Sequence, residues 1–476
     1  MKVLIMGLGL HGGGLESARF LLRRGAELTV TDLRDEQTLA PSIEQLKAAS
    51  VRYVLGKHEI DDFKNADMVI KNPGVRPDSP FLQAARCIET DISLFLAAIA
   101  AIGGASPVRL TAVTGSKGKS STASALHWAL AHGGGSGKAY LGGNITVSPL
   151  SFVDDLRPGD DVVLELSSWQ LGDLRGRTMA GHPLLKPKAA VLTPIMPDHL
   201  DRYGSMEAYV TDKRVIYQGQ DSGDFTVARY DDWGRSFLAE SKAAPLAYAD
   251  APLPDGSSGG WIDGPDGPGL ARLHGGELAE LVPALPLVPG RHQKQNLLAA
   301  GLALLGLGLP PETIKEGLGS FPGIEHRLER FHEARGIAFY NDSAATIPEA
   351  AAAALEALGD THGGGAGRLI LVTGGTDKNL DFSPLVRAIQ CAQGLKTVIL
   401  LAGTGSDKLR TLLADAHLTP LGPFDRLDAA VTAALDAAAS GDRVLLSPGC
   451  ASFGMFLNEF DRGRKWKEAV KNATEY

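Results

Sequence analysis

The sequence predicts an α/β protein of three domains, each a mainly parallel sheet flanked by helices. Three strand-like runs each lead into glycine: KVLIM (2–6) before Gly7, RLTAV (109–113) before Thr114-Gly115, and RLILVT (368–373) before Gly374-Gly375. Between them, short apolar runs alternate with Ala- and Leu-rich stretches of helical length, the pattern of parallel strands joined by crossover helices. A chain of 476 residues is also too long for one ordinary core.

Strand candidates in the centre are DVVLEL (161–166) and AAVLTPI (189–195); the last third offers VILLAG (398–403) and RVLLSPG (443–449). Domain boundaries are expected at the Gly-Gly-Ala-Ser-Pro stretch, 103–107, and at Phe321-Pro322-Gly323. They divide the chain into 1–104, 105–323 and 324–476. The Gly-, Pro-, Asp- and Ser-rich stretch near 250–275 reads as turns between short strands of the central domain.

Composition narrows the function. A hydrophobic fraction of 44% with 21% charged residues suits a soluble globular chain. The net charge of −8 argues against nucleic acid and against an anionic membrane as partners. Only Cys87, Cys391 and Cys450 occur, far apart and odd in number, so neither a disulfide framework nor a zinc site is expected and a reducing compartment fits. There is no signal-peptide pattern and no charge-free apolar run of about 18 residues, so a cytoplasmic protein without a membrane span is expected. The apolar stretch Leu94–Ile102 is too short to span.

The first motif, Gly7-x-Gly9-x-x-Gly12, follows a strand and precedes a helical stretch (Leu15–Arg24), and Asp32 ends the next strand. This is a dinucleotide-binding pattern. Its physics is general: glycines let the backbone approach a diphosphate, and a helix N-terminus supplies positive potential. A dinucleotide, a UDP-sugar and an empty tight turn all satisfy it. A second turn, Asn72-Pro73-Gly74-Val75, follows the strand-like DMVIK and could line the same pocket.

The strongest motif is Thr114-Gly115-Ser116-Lys117-Gly118-Lys119-Ser120-Ser121, between a strand-like run and a helical stretch (Thr122–Ala131). Backbone N–H groups of such a loop can wrap a triphosphate. Lys119 would reach the β- and γ-phosphates, and the Ser120 hydroxyl would ligate Mg²⁺. The first glycine of the general phosphate-loop pattern would fall at 113, which is Val, so the loop is a variant.

Further segments follow in order: Gly142-Gly143-Asn144-Ile145, Glu165-Leu-Ser-Ser-Trp-Gln170-Leu, Asp198-His199-Leu-Asp201-Arg202-Tyr203, Lys213, Pro289-Gly-Arg-His292…Asn296, His326-Arg327, Asn341-Asp342-Ser343, Gly374-Gly375…Lys378 and Ser447-Pro-Gly-Cys-Ala-Ser452. With TGSKGKSS they resemble the Mur ligase family over nearly the whole chain. The resemblance implies a Rossmann-like N-terminal domain, a phosphate-loop ATPase-like central domain and a Rossmann-like C-terminal domain. It implies an ATP-dependent ligase that activates a carboxylate as an acyl phosphate and lets an amine attack it. Many negative oxygens meet in such a reaction, and metal and basic groups must neutralise them.

By that resemblance, Gly115 to Ser121 hold ATP, with Gln293 and Asn296 against adenine and with Arg327 and Asp342 reaching ATP from the C-terminal domain. Ser120 and Glu165 would hold one Mg²⁺. His199 and Lys213, carbamylated by CO₂, would hold a second; a carbamate replaces a cation by an anionic oxygen ligand suited to a hard metal. Lys119, Glu165, His199, Lys213 and Arg327 are the candidate catalytic residues. Gly9, His11, Asp32, Arg34, Gly74, Asn144 and Gln170 would bind a UDP-muramoyl-alanine substrate. Thr346, Lys378, Ser452 and Phe453 would surround an incoming glutamate, and the D-enantiomer is the expected one. No nucleic acid, no membrane and a monomeric state are expected.

Three departures are visible. Gln293 stands where the family often has Asn. The family's D-S-K-A-T is here Asp342-Ser343-Ala344-Ala345-Thr346, without the lysine that helps hold a substrate carboxylate. The aromatic that often follows the late Asn is displaced, giving Asn458-Glu459-Phe460. The last two touch the amino-acid pocket, so L-glutamate or another amino acid stays an alternative. From other classes, an NAD(P)-dependent oxidoreductase would use the first glycine motif but leave residues 114–121 unexplained; a catalytically silent nucleotide-binding protein would tolerate loss of Lys119.

Overall fold

The structure, a computed structural model, describes residues 1–9, 12–47, 49–102, 107–133, 137–145, 147–264, 266–272, 276–359 and 368–475. It forms two compact units: 1–262 with 269–282 and 295–318, and 263–268 with 283–294 and 319–476.

The first unit carries two large sheets. One is five-stranded and wholly parallel, in the order β3 (Val51–Leu55), β2 (Glu27–Asp32), β1 (Lys2–Met6), β4 (Met68–Lys71), β5 (Ile88–Glu89). The order turns back at β1, between β2 and β4, and such a switch point opens a crevice at the strands' carboxyl ends. Asp32 does end β2 as the sequence pattern predicts.

The second sheet has nine strands: β6 (Arg109–Thr114), β7 (Ala139–Gly143), β8 (Asp161–Glu165), β11 (Ala189–Leu192), β12 (Phe225–Arg229), β13 (Ala244–Ala249), β14 (Gly259–Ile262), β15 (Gly269–Arg272) and β16 (Leu278–Val282). A small hairpin of β9 (Thr178–Met179) and β10 (His182–Pro183) stands apart. The nine run in the order β16-β15-β14-β13-β12-β11-β6-β8-β7, parallel except for the antiparallel pairs β14·β15 and β15·β16. β14 and β15 lie within the turn-rich stretch near 250–275, with turns around them. β8 and β11 are buried along their whole length, as strands covered on both faces must be. Val162, Val163 and Leu164 are each 0% exposed; burying each such side chain contributes about 1.5–3 kcal/mol.

The second unit holds a six-stranded sheet, β17 (Glu329–Ala334), β18 (Ile337–Asn341), β22 (Arg443–Leu446), β19 (Leu369–Thr373), β20 (Leu395–Leu401), β21 (Leu421–Phe424), in that spatial order. Only β17·β18 is antiparallel. Trp466, on the helix Glu459–Thr474, is fully buried against this sheet, and its Nε1 donates to Tyr340 O at 3.1 Å. Among the described residues no helix is long and apolar enough to cross a membrane; Leu94–Ile102 belongs largely to a helix of ten residues, Asp91–Ala100.

Candidate active site

The carboxyl end of β6 runs into the loop 114–118, and the helix Lys119–His132 starts three residues earlier than its pattern predicts. Gly118 makes this possible. It is left-handed (φ 88°), and a Cβ there would lie 2.3 Å from Asn296 Oδ1, so any side chain would collide as well as strain the turn. Asn296, 8% exposed, therefore packs directly under the loop, and its backbone oxygen accepts from Thr122 Oγ1 at 3.5 Å.

The loop is braced from beneath. Ser116 Oγ donates to Met196 O (2.9 Å), accepts from Met196 N (2.9 Å) and meets Tyr209 OH at 3.0 Å. Gly115 O accepts from Lys213 Nζ at 2.8 Å. Lys119 Nζ donates to Ser116 O at 3.0 Å, folded back over its own loop. Lys117 is exposed; Ser120 and Ser121 are half-buried in the first helical turn.

Lys213 corrects the reading its helical context suggests. On the helix Met206–Gln218 it would pass for a solvated lysine, yet it is 1% exposed, with Nζ 4.5 Å from the centre of the Tyr209 ring. Burial, with the Lys119 charge nearby, pulls its ammonium down to about 7. A substantial neutral amine fraction at physiological pH follows.

Glu165 ends β8 beside Val113 and Gly143 in register, at the base of the loop. It is 1% exposed. Its Oε1 accepts from Asn144 Nδ2 at 3.1 Å, while its Oε2 is buried with no hydrogen-bond partner among the described residues. A buried carboxylate oxygen left unpaired is costly, and a hard cation supplied with ligand is the natural partner for it. The residues present thus fit Mg²⁺.

His199 lies in the left-handed region (φ 51°), its ring 5.0 Å from that of Trp169, and Arg202 also lies over the Trp169 ring, 4.2 Å from its centre. Sequence reasoning did not single out Trp169 or Arg202 as a pair. Gln170 is 4% exposed and its Oε1 accepts from Ser167 N (3.0 Å) and Ser167 Oγ (3.1 Å), forming the capping box of the helix Ser168–Leu174.

At the five-stranded sheet, the carboxylate of Asp32 accepts from Gly9 N (3.3 Å) and Arg34 N (3.0 Å), so it shapes the glycine turn itself. Gly74 N donates to Asn72 Oδ1 at 3.1 Å in the second turn. His11 lies outside the described residues.

In the second unit, Gln293 N donates to Gly290 O at 3.0 Å. Asp342 follows β18 and is 8% exposed. Its Oδ1 accepts from Leu328 N (3.1 Å) and its Oδ2 from Ser447 Oγ (2.6 Å), and burial pushes the carboxyl up to about 7. Arg327 is exposed between two left-handed residues, His326 (φ 67°) and Leu328 (φ 47°). Thr346 is half-buried, Ser452 4% exposed, Phe453 59% exposed and Lys378 exposed, with Nζ 5.8 Å from the Phe453 ring centre. Thr376 Oγ1 donates to Phe453 O, tying the Lys378 loop to the Ser452 loop. The displaced Phe460 packs its ring 5.5 Å from that of His326.

Beneath these exposed groups lies a residue the sequence reading missed. Arg462 is 0% exposed and donates to Ser343 Oγ (3.0 Å), Ser343 O (2.8 Å) and Cys450 O (3.1 Å), welding the 343 and 450 loops together. Burial lowers its guanidinium to about 10.

Three family models match the chain: Mur ligase MurD-like N-terminal domain over residues 1–93, Mur ligase middle domain over 113–304, and Mur ligase glutamate ligase domain over 326–450. The UDP-N-acetylmuramoylalanine–D-glutamate ligase of Treponema pallidum is 40% identical, covering 98% of this chain and 97% of that protein. The enzyme of the same name from Roseiflexus is 39% identical, with 99% of each chain covered. Among solved structures, UDP-N-acetylmuramate-alanine ligase MurC of Thermotoga maritima shares the fold, with a TM-score of 0.57 at 18% identity over 99% of this chain and 100% of that one. With relatives this similar along nearly its whole length, the chain belongs to the Mur ligase family.

Proposed function

We propose that this protein is an ATP-dependent ligase that joins D-glutamate to UDP-N-acetylmuramoyl-L-alanine, a step in building peptidoglycan precursors. The carboxylate of the UDP-substrate attacks the γ-phosphorus of ATP, giving an acyl phosphate and ADP. The amine of glutamate then attacks the acyl carbon, an amide forms, a proton is lost and inorganic phosphate leaves. Relatives at 40% and 39% identity bear the name of this reaction. The observation that carries the reading is the pairing, at the end of β6, of a braced phosphate loop with the unpartnered buried oxygen of Glu165.

The chain's residues divide the work. Backbone amides of Gly115 to Ser121 and the Lys119 ammonium bind phosphates, and Asn296 and Gln293 take the adenine side. Ser120 and Glu165 would hold one Mg²⁺; His199 and a carbamylated Lys213 would hold another. Bound Mg²⁺ would neutralise the charge that gathers on phosphoryl and acyl oxygens. The low Lys213 pKa supports carbamylation, since only a neutral amine adds to CO₂. Arg327 and Asp342 would complete the ATP site. Gly9, His11, Asp32, Arg34 and Gly74 would hold the UDP portion, and Asn144 and Gln170 the muramoyl-alanine end. Thr346, Lys378, Ser452 and Phe453 would hold the amino acid. The same reading divides the chain at 104 and 323 into three domains and makes it a cytoplasmic monomer.

The test is phosphate release by the purified protein across a panel of amino acids, with product stereochemistry determined. Release that requires both UDP-N-acetylmuramoyl-L-alanine and D-glutamate is expected. Release with L-glutamate instead would move the specificity, and none with any amino acid would sink the reading.

A further inference from the structure

A buried ion pair joins the end of β4 in the first sheet to the helix Ser168–Leu174, and none of the roles above uses it. Lys71 closes β4, immediately before the Asn72-Pro73-Gly74 turn. Its side chain is 3% exposed, and Nζ lies 2.6 Å from Oδ2 of Asp173, which is 11% exposed. Asp173 sits on the helix Ser168–Leu174, whose first turn is capped through Gln170. Two further residues, Arg177 and Arg202, tie the same faces. Arg177 pairs with Glu89 at the end of β5 (2.7 Å) and donates to Ile88 O, and Arg202 donates to Gly74 O at 3.4 Å.

A pair so deeply buried adds little net stability, because lost hydration offsets the attraction; removing one partner strands the other charge. Burial holds the Lys71 ammonium below its ordinary range and the Asp173 carboxyl above its own. What the pair does supply is fixed geometry: one rigid, directional contact between a strand end and a helix 102 residues away. On the first side stands the glycine turn, and on the second the Glu165–Gln170 segment. We propose that Lys71 and Asp173 are a positioning pair that sets the span between the turn holding the diphosphate of the UDP-substrate and the helix holding its muramoyl-alanine end. This rests on the ligase reading, because only a substrate anchored at both ends senses that span.

The experiment measures Kd by calorimetry for two probes, UDP and UDP-N-acetylmuramoyl-L-alanine, on the full chain. The proteins are the wild type, Lys71→Met, Asp173→Asn and the double variant Lys71→Met/Asp173→Leu, with thermal unfolding recorded for each. In all three variants the larger probe is expected to bind at least about tenfold more weakly, while UDP changes by less than about threefold, since a misplaced second anchor costs only the ligand that uses it. The double variant, free of a stranded charge, is expected to regain most of the wild-type thermal stability. Should it regain affinity along with stability, the pair is merely structural and the proposal falls. Equal weakening of both probes would place Lys71 in the diphosphate site itself and would also overturn it. A wild type that binds UDP but not the larger probe refutes the ligase reading directly, an outcome distinct from any change among the variants.

Discussion

The phosphate-loop side of this protein and the side proposed to hold the amino acid are built on opposite plans. Around residues 114–121 the groups that brace the loop are themselves buried and bonded, while Lys117 at its tip is exposed: Lys213 donates to Gly115 O, Ser116 meets Tyr209, and Glu165 accepts from Asn144. In the second unit Arg327, Lys378 and Phe453 are exposed, and the buried groups are the ones beneath them, Arg462, Ser343 and Asp342. A triphosphate and its metal are the same in every ligase of this kind, so a rigid cradle costs nothing in versatility. An amino-acid pocket must discriminate, and exposed side chains on a stiff base can be exchanged without disturbing the fold.

If that contrast holds, the largest effect of any single substitution falls on the rigid side. Lys119→Ala should lower kcat/KM by about 10³-fold, about 4 kcal/mol, because it removes a fixed cation from developing phosphoryl charge. Steady-state phosphate release reads it. A loss below about tenfold would mean that the loop binds nucleotide without acting on it.

Asp342 tests the base of the other side. Its carboxyl has a pKa of about 7 in the fold, against about 3.9 in an unfolded chain. The folded form therefore binds the proton more tightly, and between pH about 4 and about 7 it carries more protons than the unfolded form. Stability of the second unit must fall as the pH rises through that window, by at most about 4 kcal/mol, and change no further above it. Asp342→Asn keeps an acceptor for Leu328 N and can turn its amide toward Ser447 Oγ, so it should flatten this slope. Hydrogen exchange of the β19 and β22 amides at pH 5 and pH 8 measures it; a slope unchanged in the variant would show that another group titrates.

Glu165→Gln separates the two oxygens of one side chain. The amide oxygen can still accept from Asn144, so the local fold should survive, but the site loses its anion. A fall of about 10²-fold in kcat, partly recovered at high Mg²⁺, is expected. Full activity at ordinary Mg²⁺ would remove Glu165 from the metal site.

Much of the fold was legible because its signals are local. Apolar runs ending in glycine located β1, β6 and β19, and the sites drawn from those turns lie at strand ends, where a parallel sheet places them. The boundaries slipped where tertiary contact decides: the helix at Lys119 begins early because Gly118 fits against Asn296, far along the chain. Burial of charge was the least legible feature. Lys213 reads as solvated in its helix, Arg462 sits in the charged run EFDRGRK, and Lys71 and Asp173 are separated by 102 residues. Periodicity describes which face is apolar, and says nothing of a charged residue whose partner comes from another element.

The smallest expected effect belongs to Lys378, and it sharpens the contrast most directly. The side chain is exposed and lies over the Phe453 ring, while its loop is held by Thr376, which bonds to Ala451 and Phe453 O, so replacing the lysine leaves those loop contacts in place. Lys378→Met should raise the KM for glutamate by about fivefold, the scale of one solvent-screened ion pair. The KM for ATP and the unfolding temperature should not move. Ala344, where the family commonly carries a second lysine, makes the test sharper: with that cation missing, Lys378 would carry more of the proposed recognition of the glutamate carboxylates, and added salt should weaken glutamate binding in the wild type but hardly in the variant. An equal rise in both KM values would mean that the exposed lysine also steadies the loops around Arg462, and the division between a rigid base and exchangeable side chains would fail.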